Sequence, residues 1–320
     1  MKKIIITVGP AINKFLKQLE CKNYIYRVNG SHLELTAVKN SVQKIRENIS
    51  NVEILLDLPG NKVRTCNLKK PVLLKIGKKF SLSVDQINCP QFCRYIKVKD
   101  TVLAADSTLK FMVHSVDDKE VVFLSQSNGY LFNNKGLHVH GINKKLPFLF
   151  GKDHQLISLA NELKVDYVGL SFVRSCRDIK EARGLLDGNI KLITKVETKS
   201  ALDNLNSILQ EVEYILVDRG DLSAEIGLEK VPRSQEFIID KALFYNKKVF
   251  LATQFLTNMI DKPIPSIAEV ISLYSTFKTG IYGIQLSEET AIGKYPLECL
   301  KVIEKILSEI KAENQYLLKS

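Results

Sequence analysis

Short apolar runs alternate along this chain with amphipathic stretches. The runs at 3–8, 23–28, 53–57, 166–172, 190–196, 214–218, 247–252 and 280–286 are rich in Ile, Leu, Val and Tyr and predict strands. Between most of them apolar residues recur at helical spacing, as at Leu202, Leu205, Ile208 and Leu209. That pattern predicts helices over 177–186, 199–210, 230–246, 266–278 and 296–315. Strand–helix alternation eight times over predicts a parallel sheet with helical crossovers. Eight such units imply an α/β fold closed into a (β/α)8 TIM barrel. One connection breaks the rhythm. Between 66 and 147 short strands are expected at 72–76, 80–84, 94–98, 110–115 and 120–124, punctuated by Asp117-Asp118 and Ser127-Asn128-Gly129. This segment predicts a small inserted antiparallel β-barrel domain. The expected organisation is 1–65 with 148–320 as the barrel and 66–147 as the insertion.

Composition narrows the class without choosing a function. With 320 residues, 45% of them hydrophobic, the chain can fill a large core, so disorder is not expected. The apolar run after Lys2-Lys3 is too short for a signal peptide and stops at Gly9-Pro10. No later run approaches a membrane-spanning length, so a cytoplasmic protein without a membrane partner is expected. The cysteines at 21, 66, 89, 93, 176 and 299 are dispersed, and the CxxxC pair Cys89/Cys93 has no convincing His partner, so reduced thiols are expected rather than a zinc site. A net charge of +11 is spread over isolated lysines and pairs such as Lys69-Lys70 and Lys144-Lys145. Without a dense basic run this argues against a nucleic-acid module, and it suits small phosphate-bearing anions.

Chemistry in such a barrel sits at the C-terminal ends of the strands. Read in order, those ends carry Thr7 to Pro10, then Arg27, Asn29, Ser31 and His32, then Asp57 with Lys62 and Arg64 beyond it, then Ser171. The later ends carry Lys195 and Glu197, then Asp218, Arg219, Gly220 and Asp221, then Thr253 and Gln254, and finally Ser287 to Thr290. Any one of these could be an ordinary polar terminus, but together they converge on one rim. Glu197 and Asp221 close neighbouring strands and can share a hard divalent cation such as Mg²⁺. Lys195 and Glu197 alternate and so face the same side. Adding Arg27 makes a poor structural metal site but a good clamp for a phosphate or carboxylate bridged to the metal.

These residues also carry a resemblance. The stretches TVGPA, YRVNGSH, DLPGNKVRT, LSFVRS, KLITKVE, VDRGDLSAEIG, FLATQFLTNMIDKPIPSIAE and QLSEETAIGKYPLE resemble pyruvate kinase, in order and across nearly the whole barrel. The resemblance implies phosphoryl transfer from phosphoenolpyruvate to ADP, giving pyruvate and ATP, with Mg²⁺ or Mn²⁺ held by Glu197 and Asp221. It implies that Lys195 and Arg27 stabilise the moving phosphoryl group, and that Thr253 lies where the enolate takes its proton. Substrate binding would fall to Ser171, Thr253 and the backbone at Gly220 and Asp221, close to a helix start. Nucleotide contacts would fall to Pro10, His32 and Arg64, with the insertion as a lid that excludes water. In most members Asn29, Ser31, Asp57 and the backbone at position 58 form a potassium site, and position 62 is acidic. Here position 62 is Lys62, after Leu58, which resembles the potassium-independent branch. A tethered ammonium can replace the ion's charge, so activity without K⁺ is expected; a solvated surface lysine is the plainer alternative.

The pattern also departs from the family. The chain stops at Ser320, where the resemblance expects a C-terminal regulatory domain. Allostery through that domain, and its subunit contact, are therefore not expected, while a homo-oligomer through the barrel faces stays open. Val139 and His140 stand where basic residues are expected, and Ala105-Asp106 where paired acids are. Asp218 replaces a small residue, and Glu288 a glycine. An added carboxylate could repel an anionic substrate, or could turn outward to pair with Arg219. Two other readings therefore stand beside the leading one. One is a diverged member acting on another enol or 2-oxo acid phosphate, or on another acceptor. The other is a catalytically weak phosphoenolpyruvate-binding regulator. A metal-dependent enolate aldolase fits the acid pair but not YRVNGSH or DLPGNKVRT.

Overall fold

Strands buried on both faces need apolar residues at nearly every position, and the short runs of this chain meet that demand. The computed structural model describes residues 2–20, 24–31, 33–89, 91–105, 108–142 and 145–317. It divides into two units, Met1–Pro59 with Gly151–Ser320, and Gly60–Phe150. The division falls earlier than the expected 66 and later than the expected 147.

In the first unit eight parallel strands close into a barrel. They are Lys3–Thr7, Tyr24–Asn29, Glu53–Asp57, Tyr167–Leu170, Lys191–Val196, Tyr214–Asp218, Lys248–Ala252 and Gly283–Leu286. Inside it Ile5, Ile25, Leu55, Ile193, Leu216 and Phe250 form one apolar cluster with Tyr167 and Tyr214. Two residues further along the same strands come Thr7, Arg27, Asp57, Lys195 and Asp218. Since side chains alternate with period two, these face the same interior one layer higher. The barrel is thus apolar in its middle and charged at its C-terminal rim. Its other end is filled by aromatic rings. Tyr167 and Tyr214 meet edge to face with centroids 5.5 Å apart, and Lys248 Nζ lies 4.8 Å from the Tyr214 centroid and 5.2 Å from that of Tyr282.

Helix starts are written locally. Ser266 and Glu269 form a reciprocal capping box before Ile267–Lys278, and the Thr198 hydroxyl accepts from Ala201 N ahead of Lys199–Asp203. The helix expected over 199–210 is broken at Asn204 into Lys199–Asp203 and Leu205–Glu211. The Asn204 side chain donates to the carbonyls of Ser200 and Arg174, both at 3.0 Å, offering the backbone an alternative to continuing the helix. Among the described residues no helix is long and apolar enough to cross a membrane.

The second unit has its own core, with Phe92, Phe111 and Phe123 fully buried. Its five-stranded antiparallel sheet runs, in spatial order, Leu137–Val139, Thr101–Ala104, Leu109–Val116, Glu120–Ser125 and Lys79–Ser83. Val72–Leu74 pairs separately with Gly129–Leu131. The expected closed barrel is met only through single bridges, Arg64 to Gly136 and Thr65 to Ile87, which link the sheet's two ends through residues 63–66. That pairing is why residues 60–65 belong with the insertion. The strand expected at 94–98 is instead a helical turn, Phe92–Tyr95, because Phe92, Cys93 and Ile96 bury at helical spacing. The strand Thr101–Ala104 was not anticipated. Cys66, Cys89, Cys93, Cys176 and Cys299 are free thiols; Cys21 lies outside the described residues.

Closure of the barrel depends on Gly283, where an added Cβ would fall 1.9 Å from the carbonyl oxygen of Lys3 on the neighbouring strand. Gly283→Ala is expected to cost at least about 2 kcal/mol in urea unfolding. Gly188→Ala, with no atom within 4 Å of the new methyl, is expected to stay within about 0.5 kcal/mol of wild type. Equal effects at the two sites would contradict this account.

Candidate active site

The rim is built around Lys195, a lysine only 6% exposed. Its ammonium lies 3.2 Å from Glu197 Oε2 and 3.4 Å from Asp218 Oδ2, and donates to Ser171 Oγ at 3.2 Å. Burial works against its charge, but the field of Glu197, Asp57, Asp218 and Asp221 outweighs burial and keeps it protonated. Ser171 lies just past the fourth strand and in turn donates to the Leu58 carbonyl at 2.7 Å.

Glu197 follows the fifth strand and is fully buried. Its Oε1 accepts from Phe172 N at 2.7 Å, an amide presented by a left-handed turn at Phe172 (φ 57°). Its Oε2 is buried and, besides the ion pair with the Lys195 ammonium, takes no hydrogen bond. Burial raises the proton affinity of this carboxyl, with Asp221 and Asp218 adding to the shift and Lys195 opposing it. A buried carboxylate oxygen in that state is suited to a cation.

Asp221 does not end a strand, as the sequence reading had it. The sixth strand ends at Asp218, and Asp221 sits in the first turn of the helix Arg219–Ile226. Glu197, Asp218 and Asp221 each offer a carboxylate oxygen, and the three lie within 4.8 Å of one another. Hard oxygen donors so grouped fit a hard divalent cation such as Mg²⁺. Glu288 is exposed at the start of the short helix Glu288–Ala291 and does not join this group.

Arg27 is buried beside Asp57. Its Nε donates to Asp57 Oδ2 at 2.8 Å, NH2 lies 2.6 Å from the same oxygen, and NH1 donates to Thr7 Oγ1 at 2.8 Å. The Thr7 hydroxyl donates in turn to the Leu286 carbonyl at 2.8 Å. Asp57 Oδ1 takes no hydrogen bond and occupies space kept open by Gly169, where a Cβ would come within 2.4 Å of it. Nearby in sequence, Asn29 Oδ1 accepts from Ser31 N at 3.0 Å.

Thr253 holds an uncommon backbone conformation for a β-branched residue, φ 79°, and Gln254 follows at 58°. Two interactions brace this turn. Thr253 Oγ1 donates to Asp218 Oδ1 at 2.7 Å. The Arg219 guanidinium donates to the carbonyls of Ala252, Thr253 and Gln254, and stacks 4.2 Å from the Phe255 centroid. Asp218 therefore does not turn outward. A Cβ at Gly220 would lie 3.1 Å from Thr253 Cγ2, so the helix start sits tightly against the threonine.

Pro10 is exposed after the first strand, and His32 lies outside the described residues. Lys62 and Arg64 belong to the second unit. There the Lys62 side chain passes over Gly136, and Arg64 NH1 donates to the Asn134 carbonyl at 3.3 Å. Sequence reading assigned no role to Thr7, and offered Arg219 only as an outward partner for Asp218. The alternation from Ile5 marks Thr7 as interior, whereas nothing in the sequence announces what Arg219 braces.

Arg219→Ala removes a charged donor from three carbonyls and is expected to lower stability by about 2–3 kcal/mol in urea unfolding, with Arg219→Lys recovering part of it. A variant as stable as wild type would show that the turn holds itself.

Comparison with known proteins agrees with this geometry. Residues 1–300 match the family described as the pyruvate kinase barrel domain. The pyruvate kinase of Thermotoga maritima is 32% identical over 98% of this chain and 72% of its own length. That of Thermococcus litoralis is 32% identical over 95% of this chain and 68% of its own length. That of Borreliella burgdorferi is 30% identical over 92% of this chain, which spans 64% of that relative. With the barrel, the order of its motifs and the acid–lysine rim all in agreement, the chain belongs to the pyruvate kinase family.

Proposed function

We propose that this phosphotransferase-family chain moves the phosphoryl group of phosphoenolpyruvate to ADP, giving pyruvate and ATP. The observation that carries the reading is the buried Lys195 beside Glu197 and the Glu197/Asp218/Asp221 group. In the reaction the bond between the enol oxygen and phosphorus breaks, a β-phosphate oxygen of ADP bonds to that phosphorus, and the enolate carbon takes a proton. A bound Mg²⁺, held by Glu197 and Asp221, would neutralise substrate oxygens as charge shifts. Lys195 would place its fixed ammonium against the transferring oxygens, with no reorganisation at the moment of reaction. Arg27, oriented by Thr7 and Asp57, would hold the phosphoryl group with a planar fork of donors. Ser171 would keep Lys195 aimed. The amides at Gly220 and Asp221, at a helix start, would take the substrate carboxylate. Thr253 would stand beside the carbon that gains the proton, and its hydroxyl is oriented by Asp218. Nucleotide contacts at Pro10, His32 and Arg64 belong to the same proposal and rest on the family resemblance.

We also propose that activity does not need K⁺. The support is Lys62, a fixed positive charge at a position where the resemblance expects an acid. Asn29, Ser31 and Asp57 are retained, so only the charge at position 62 distinguishes the two cases.

Pyruvate release from phosphoenolpyruvate with ADP and Mg²⁺ tests the first proposal. Lys195→Met and Glu197→Gln are each expected to lower kcat by at least about 100-fold. No ADP-dependent release from the folded wild-type chain would move the assignment to another enol phosphate or another acceptor. Added K⁺ is expected to leave the wild-type rate unchanged, while Lys62→Glu is expected to make the rate rise with K⁺. A K⁺-stimulated wild type would end the second proposal.

A further inference from the structure

The magnesium reading above uses two acids, yet the rim holds a third, Asp218. Strands five and six pair Lys195 with Leu216 and Val196 with Val217, so the next step in register sets Glu197 beside Asp218. Alternation from Tyr214 and Leu216 turns Asp218 to the barrel interior, the same side as Lys195. Its Oδ1 accepts the Thr253 hydroxyl, which fixes the side chain, and its Oδ2 lies 3.4 Å from Lys195 Nζ. A group of acids alone does not make a site. Here the donor set is the kind a hard cation takes: three carboxylates each offer an oxygen within 4.8 Å of the others, Glu197 is fully buried, and the Lys195 ammonium is shared between Glu197 Oε2 at 3.2 Å and Asp218 Oδ2 at 3.4 Å, so it cannot neutralise all three.

We infer that Asp218 is a third carboxylate of the metal site and tightens this chain's hold on a divalent cation in the absence of substrate. The inference rests on the magnesium reading under Proposed function. Charge counting shows the consequence. With Glu197 and Asp221 set against Lys195 these three groups carry one net negative charge, and a divalent cation would leave one positive charge to attract an anionic substrate. With Asp218 included the net charge becomes two negative, which a divalent cation cancels. Affinity is thereby moved from the polyanionic substrate to the free metal, since ligand charge sets divalent-cation affinity at oxygen sites.

The test is direct titration of the full chain with Mn²⁺ alone, free Mn²⁺ being read by electron paramagnetic resonance with no nucleotide or phospho-substrate present. Asp218→Asn keeps the side chain's shape and its acceptor for Thr253 but removes the charge; Asp218→Ala removes both. Both are expected to raise the Mn²⁺ Kd about tenfold or more, and both to lower KM for phosphoenolpyruvate. Circular dichroism confirms that each variant is folded. If both variants bind Mn²⁺ as wild type does while Glu197→Gln loses it, Asp218 is not a ligand and the two-acid reading stands. If Asp218→Ala weakens binding but Asp218→Asn does not, the side chain acts by shape through Thr253 and the inference is overturned. If the folded wild-type chain binds no Mn²⁺ in the absence of substrate, the inference is overturned. Mn²⁺ binding that appears only after phosphoenolpyruvate is added would still leave the two-acid reading in place.

Discussion

A lysine ammonium sealed inside a barrel needs compensating anions, and the rim of this protein is arranged around that need. Removing Lys195 from water costs several kcal/mol unless carboxylates and hydrogen-bond acceptors surround it. Glu197, Asp218 and Ser171 supply them at 3.2–3.4 Å. The carboxylates are then themselves buried and crowded, so they too need partners. Phe172 N answers one oxygen of Glu197, and Thr253 one oxygen of Asp218. Backbone turns that few residues adopt, at Phe172 and Thr253, persist because this network over-determines them. What the acids still lack is positive charge, and that unmet demand is the chemical basis of the proposed metal site.

The barrel was legible because two periodicities coincide in its sequence. Apolar runs of strand length alternate with helical spacing, and within the strands the inward residues change from Ile5, Ile25, Leu55 and Ile193 to Thr7, Arg27, Asp57 and Lys195 two positions later. The rim could thus be read before any coordinates. Asp221 was placed less well. Its distance beyond the strand is spanned by a helical turn, which a strand-based reading treats as extended chain. The direction of Asp218 was left open because a carboxylate next to an arginine pairs with it by default. Only the turn at residues 253–254, set by backbone conformation, shows that Arg219 is taken up by carbonyl oxygens.

The insertion was read less accurately, for a related reason. Its elements are short, and a four-residue apolar stretch such as Phe92–Tyr95 looks alike as a strand or as one helical turn. The outcome depends on which residues reach the core, a tertiary matter. Likewise residues 63–66 look like a simple extension from the third strand, and only their hydrogen bonds to residues on either side assign them to the second unit. The Asn204 break shows the same limit from the opposite side. There one side chain's local bonds outweigh a continuous helical pattern.

The aromatic layer at the opposite end of the barrel has a spectroscopic consequence. The chain contains no tryptophan, so tyrosine and phenylalanine dominate its near-ultraviolet absorption. Tyr167, Tyr214, Phe250 and Tyr282 are in edge-to-face or stacked contact across strands of the second half of the sequence, with the Lys248 ammonium against two of the rings. Their transition dipoles are held in a fixed chiral arrangement only while the eighth strand is docked beside its neighbours. Near-ultraviolet circular dichroism of this layer therefore reports the docking of these later strands without any added label, from the end of the barrel remote from the chemistry.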